Sequence, residues 1–271
     1  MASTDGPGFV RVALRASRPA TLLVLLLVGI PSSSGAITNG LIDAMHTNVA
    51  AILLDFDGPG ALQWCTATLI SPRVLLTAGH CTRGLDLYEI PVDVVRVSFA
   101  LNIWSDPASW RTVEGWVTHP EFRWGPTSDP HDLGVIVLTR PETSLVPATL
   151  APMGYLDGLA ARGQLRGASF DVVGYGQNQH GVVTGYRQIA QSIGLSLHSA
   201  WLYLSQNPHR GAGGTCEGDS GGPTFRSDGG PEVLVAVTSW GDAVCVATGI
   251  NYRVDTPDAR AFLAIAVSTY R

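Results

Sequence analysis

The sequence predicts an all-β protein built as a sandwich or barrel. Short β-branched and apolar runs follow one another along the chain, separated by glycine and proline. The 31 glycines and 17 prolines make up 48 of 271 residues, which suits many turns better than long helices. Hydrophobic residues are 45% of the chain and charged residues 14%, enough apolar material for a sizeable core and too little charge for a disordered chain. A length of 271 residues allows one large domain or two small ones packed together.

The N-terminal stretch is expected to lie outside this fold. Arg11, Arg15 and Arg18 precede an apolar run of 11 residues from Ala20 to Ile30, followed by Pro31 and Ser32-Ser33-Ser34-Gly35-Ala36. A basic flank, a short apolar run and a small-residue exit describe a secretory signal peptide over residues 1–36. The competing reading, a retained membrane anchor, needs about 20 apolar residues. The protein is therefore expected to be secreted, with no stable membrane association. Removal of the three arginines and Asp5 takes the formal charge from −5 to −7.

Strands are expected in order along the rest of the chain. Thr66–Ile70 and Val74–Thr77 flank Ser71-Pro72-Arg73 and read as a hairpin. Val92–Leu101 is β-branched with partial alternation. Leu133–Leu138 is a continuous apolar run, as expected of a strand buried on both faces. Phe170–Val173 and Val233–Thr238 are further strands. One helix is expected, at the end of the chain. Thr256 is its N-cap, Pro257 its first residue, and Phe262, Ile265 and Ala266 share its apolar face. Prolines and glycines near Met153–Ala160 mark a boundary between residues 37–155 and 156–271.

Composition excludes several functions. The net negative charge offers no electrostatic case for nucleic acid. All 17 basic residues are arginine, so mechanisms that need a catalytic lysine are excluded. The four cysteines, Cys65, Cys81, Cys216 and Cys245, form no metal-binding spacing, and in an exported protein they suggest two disulfides with three possible connectivities.

The chemistry concentrates in Gly214-Thr215-Cys216-Glu217-Gly218-Asp219-Ser220-Gly221-Gly222-Pro223. A serine between glycines lets backbone approach a substrate closely, and nearby N–H groups can stabilise an oxyanion. Gly218-x-Ser220-x-Gly222 also matches the nucleophile elbow of α/β-hydrolases. That fold needs its histidine after the serine, and all seven histidines (46, 80, 119, 131, 180, 198 and 209) precede Ser220. The best base is His80 in Leu75-Leu76-Thr77-Ala78-Gly79-His80-Cys81. The third member, needed to orient the imidazole, is Asp132 at the head of Leu133–Leu138, with Asp129 as the fallback. His119 and His131 read as loop or surface histidines.

These two strings resemble the histidine and Gly-Asp-Ser-Gly-Gly-Pro signatures of the chymotrypsin/trypsin-like serine peptidases. Smaller matches agree: Val173-Gly174-Tyr175-Gly176, with tyrosine where the family has tryptophan, Ser239-Trp240-Gly241 and Gly249–Val254. The resemblance covers nearly all of residues 37–271. It implies two packed six-stranded antiparallel Greek-key barrels with a C-terminal helix, His80 and Asp132 on the first and Ser220 on the second. It implies disulfides Cys65–Cys81 and Cys216–Cys245. It also implies a secreted serine endopeptidase that works through an acyl-enzyme without metal or cofactor, with Gly218 and Ser220 as the oxyanion hole. Activity is expected to rise through about pH 6–7.5 as the histidine loses its proton. Ile37-Thr38-Asn39-Gly40 resembles the family's mature N-terminus, which implies that a freed Ile37 amine pairs with Asp219, and cleavage after Ala36 would create that amine.

The resemblance places Gly214, Thr215, Ser239, Trp240, Gly241 and Gly249 in the specificity pocket. Trypsin-like members carry aspartate six residues before the serine, where this chain has Gly214. An apolar or aromatic preference is therefore expected. Glu217 and Asp242 near the rim favour the alternative, a basic side chain. Partners are expected to be polypeptide substrates and protein inhibitors of a monomer. The alternative from another class is a secreted non-catalytic binding protein on the same scaffold.

Overall fold

A computed structural model describes residues 37–56, 60–125 and 127–271; the expected signal peptide lies outside them. Thirteen strands are formed among the described residues. Strand β1 (Leu41–Ile42) precedes β2 (Val49–Leu54), β3 (Leu62–Ser71), β4 (Val74–Thr77), β5 (Val95–Ser98), β6 (Arg111–Thr118) and β7 (Gly134–Leu138). Then come β8 (Ser169–Gly174), β9 (Gln188–Leu197), β10 (Trp201–Ser205), β11 (Pro223–Arg226), β12 (Val233–Gly241) and β13 (Thr248–Arg253). Three helices accompany them: α1 (Gly79–Leu87), α2 (Tyr155–Ala161) and α3 (Pro257–Thr269).

Strands β2 to β7 close a barrel in the order β2-β3-β4-β7-β6-β5, and β8 to β13 close a second in the order β9-β10-β13-β12-β11-β8. All pairings are antiparallel. In each barrel three consecutive strands are followed by one that returns beside the first, the Greek-key connection. Strand β1 lies in the N-terminal half of the chain but pairs with β9 of the second barrel.

The continuous apolar runs have a period-2 explanation. In β2, Ala50, Ile52 and Leu54 fill the first barrel, while Val49, Ala51 and Leu53 face the cluster between the barrels. In β7, Ile136 and Leu138 point into the barrel, and Val135 points to the interface together with the preceding Leu133. Both faces are buried, so neither can be polar. The second barrel fills with residues such as Ile37, Phe170, Val172, Leu202 and Val235. The expected hairpin, the buried strand at 134–138 and the strands at 169–174 and 233–241 are all formed.

Three expectations need correction. Val92–Leu101 is a strand only over Val95–Ser98, because Pro91 opens a single 3₁₀ turn at Val92–Val94. Helices α1 and α2 depart from the single expected helix; both are short, and α2 occupies the stretch read as the boundary near Met153–Ala160. Helix α3 starts as expected, with Thr256 Oγ1 accepting from Ala259 N at 3.3 Å. Its buried face is Ala259, Phe262, Leu263 and Ala266, while Ile265 is 66% exposed.

Candidate active site

Strand β4 ends at Thr77, and α1 begins two residues later with Gly79 and His80. The helix start packs directly on the head of β7. A β-carbon at Gly79 would stand 2.9 Å from Leu133 O, so only glycine permits this approach. The approach brings His80 against Asp132. His80 N donates to Asp132 Oδ1 at 2.8 Å, and His80 Nδ1 lies 3.2 Å from Oδ1 and 3.0 Å from Oδ2. Asp132 is buried, and Ser239 Oγ donates to its Oδ2. Asp129 instead accepts from Tyr252 Oη and from His131 N.

Electrostatics follow from this pairing. Burial opposes the charged imidazole of His80, but the charge and hydrogen bond of Asp132 outweigh it, and the pKa is raised. Burial likewise opposes the Asp132 carboxylate; His80 and the donors from Ser239 and the His80 backbone hold its pKa below the usual range. The residue before Asp132, His131, has φ +52, a left-handed conformation uncommon outside glycine. Its ring is fixed by Asp258 at 2.8 Å and Glu121 at 3.3 Å. His119, read as a loop or surface histidine, is buried, stacked on His131 and tilted against Phe262 of α3.

Ser220 sits in a loop of the second barrel held by the first. Thr66 N donates to Ser220 O at 2.9 Å. Two side chains grip Gly218 O: Gln63 Nε2 at 2.8 Å and Thr66 Oγ1 at 3.0 Å. Gly221 follows the serine with φ +78, and a β-carbon there would lie 2.0 Å from Thr77 Oγ1. Glycine is required on both counts. Asp219 is fully buried. Its carboxylate accepts from Gly176 N at 2.7 Å and Cys216 N at 2.9 Å, and burial pushes its pKa up to about 7. Ile37 is also fully buried, with its N–H donating to Gln188 Oε1 at 3.0 Å. Thr38 and Gly214 exchange two backbone hydrogen bonds of 3.0 Å.

Two clefts meet at Ser239 and Trp240. One, about 530 Å³, is lined by His80, Asp132, Phe122, Arg123, Trp124, Gly125, Pro130 and Trp201 besides those two. The other, about 230 Å³, contains Ser220, Thr215, Cys216, Glu217, Thr238, Gly241, Asp242, Ala243 and Cys245. Gly214 and Gly249, expected in the pocket, back onto Gln206 instead of lining this cavity. The disulfides are Cys65–Cys81, beside His80, and Cys216–Cys245, across the second cleft. Sequence reasoning missed Gln63, Gln206 and Trp201, whose relation to the site is through space and carries no local signature.

A histidine–aspartate pair on one barrel, with a glycine-flanked serine loop of the other tied to the first barrel through Gln63 and Thr66, is the set of groups a serine-dependent hydrolase needs. Comparison with known proteins gives the family. The family model described as Trypsin matches residues 46–260, and the chain belongs to the trypsin family. It is 28% identical over 198 residues to a trypsin of Saccharopolyspora erythraea, covering 68% of this chain and 78% of that protein. It is 26% identical to Trypsin-1 of Astacus astacus, covering 74% and 89%. It is 30% identical to Kallikrein-15 of Saguinus oedipus, covering 67% and 72%. The protein is a serine endopeptidase.

Proposed function

We propose that this peptidase is secreted and cleaves polypeptides through the triad Ser220, His80 and Asp132. The observation that carries the proposal is the double hold of Asp132 on His80, through backbone N and through Nδ1, which leaves Nε2 as the basic nitrogen. Ser220 Oγ attacks the peptide carbonyl as His80 takes its proton, and Asp132 stabilises the imidazolium. The N–H groups of Gly218 and Ser220 receive the oxyanion, and the grip of Gln63 and Thr66 on Gly218 O supports that role. His80 then protonates the leaving amine, and water releases the acyl group. The enzyme acts as a monomer, and protein inhibitors would enter the same two clefts.

The side chain before the scissile bond enters the cavity beside Ser220. The absence of a carboxylate at Gly214 supports an apolar or aromatic preference. Glu217 and Asp242 line the same cavity and support the alternative, a basic one.

Activation belongs to the same proposal. Cleavage after Ala36 would free the Ile37 amine, whose charge would pair with Asp219, a buried carboxylate with no cationic partner among the described residues. One experiment tests both parts: the intact mass of the exported protein with and without a fluorophosphonate. The expected result is a chain starting at Ile37 that takes one adduct, lost in Ser220→Ala. A start elsewhere would sink this activation route, and an unlabelled protein would sink the triad.

A further inference from the structure

Gln206 directly follows β10, and its N–H donates to Ala247 O at 3.0 Å. It is 1% exposed, an unusual burial for a primary amide. Its side chain lies against two glycines that the resemblance expects in the specificity pocket, Gly214 at its floor and Gly249 in its wall, and that back onto Gln206 here. A β-carbon at Gly214 would stand 2.2 Å from Gln206 Oε1, and one at Gly249 would stand 3.0 Å from the same atom. The space that a larger residue at position 214 would occupy is therefore filled by the amide of Gln206. Gly241, in the cavity wall, faces the other end of this amide, with its β-carbon position 3.9 Å from Nε2.

The amide is only half satisfied. Nε2 faces Asp242 Oδ1 at 3.5 Å, and Oε1 has no hydrogen-bond partner among the described residues. Turned over, the amide would set its oxygen against a carboxylate, so the NH₂ group belongs on the Asp242 side. Asp242 is itself anchored by the N–H groups of Val246, Ala247 and Thr248. A buried acceptor without a donor is costly. The terminal torsion of glutamine is broad, so the oxygen can turn to meet a donor arriving from the cavity.

The geometry points to Gln206 as the specificity-determining floor of this pocket, its amide oxygen selecting substrate side chains that carry an N–H or O–H donor at the far end. The inference rests on the serine endopeptidase reading. Two sources share that chemistry. Tyrosine would present a hydroxyl to a neutral floor, and arginine would add attraction to Asp242 and Glu217.

The test compares kcat/KM on matched peptides that differ only before the scissile bond: tyrosine against phenylalanine, and arginine against norleucine. Wild type is compared with Gln206→Met, which keeps the length and removes the acceptor. Fluorophosphonate labelling of Ser220 reports whether the site is assembled in each protein. In wild type we expect the donor-tipped member of at least one pair to be preferred by about fivefold or more, a ratio that collapses in Gln206→Met. The preferred pair identifies the source. If Gln206→Met does not fold, Gln206→Glu keeps the question open to measurement. A carboxylate at the floor raises the arginine-to-norleucine ratio by about tenfold or more. A labelled wild type with equal rates in both pairs, or ratios unchanged in the variants, overturns the inference alone. A wild type that takes no label overturns the peptidase reading and the inference with it.

Discussion

At the residue scale, the proposed triad turns on Asp132, which holds His80 through two nitrogens and is itself held by Ser239. Asp132→Asn keeps the shape but presents an amide, which no longer stabilises the imidazolium. We expect kcat to fall by about 10⁴ while the fold survives. The pH profile adds an independent readout. In the proposed mechanism His80 must be neutral to act, and its pKa is raised above the ordinary 6.5, so activity is expected to climb on the alkaline side of that value. Without the Asp132 charge only burial remains, and burial lowers the pKa. The acid limb of kcat/KM against pH should therefore move to lower pH in Asp132→Asn; an unmoved limb would show that Asp132 does not set it. His80, Asp132 and Ser220 were readable as candidates from local strings, because close backbone approach demands particular glycines beside them. Gln206 was not readable. Its role depends on a side chain reaching across Gly214, which no spacing encodes.

At the element scale, the strands were the legible part. A run such as Leu133–Leu138 buries both faces, one in the barrel and one between barrels, so its apolar continuity is forced. Helix α1 was illegible because it is nine residues long, has no side-chain cap, and contains Gly79 and Gly84, both poor helix formers. Tertiary contacts hold it instead, including the Cys65–Cys81 bond to β3 and Trp64 Nε1 donating to Cys81 O at 3.1 Å. The second disulfide ties the serine loop to the turn after β12 across 29 residues. Replacing Cys216 and Cys245 together by alanine should cost about 3–4 kcal/mol in the chain-entropy account, read as a lower midpoint in urea. The bond walls the cavity beside Ser220, whose lining does not include His80 or Asp132. KM should therefore rise more than kcat falls. An equal loss in both would mean that the bond supports the oxyanion loop more than the pocket wall.

At the scale of the whole molecule, the proposed triad requires the two barrels to hold Ser220 against His80, and a buried polar seam helps to join them. Arg187, just before β9, is 2% exposed and donates to Phe99 O at 2.9 Å and Val49 O at 3.3 Å in the first barrel. It also donates to Tyr175 Oη at 3.0 Å and to Asp43 O at 3.1 Å. His46 extends the seam. Its ring lies 2.8 Å from Asp43 Oδ2 and 3.0 Å from Glu232 Oε2, and it stacks on Phe225 of β11. Burial disfavours its charge, but Asp43 and Glu232 outweigh burial and raise its pKa to about 9. A histidine pKa raised on folding stabilises the fold fully below about pH 6.5, and that contribution is lost as pH climbs through about 9. The Asp43 pKa is lowered, so its share is present above the usual carboxylate range and is lost in acid. Near pH 6 both partners carry their charges. The stability difference between wild type and His46→Gln should therefore be largest near pH 6, on the order of 2 kcal/mol after allowance for the partly exposed Glu232, and should have mostly vanished by about pH 10. Urea unfolding of both proteins at several pH values measures it. A difference that stays constant from pH 6 to 10 would mean that His46 contributes packing on Phe225 and no charge.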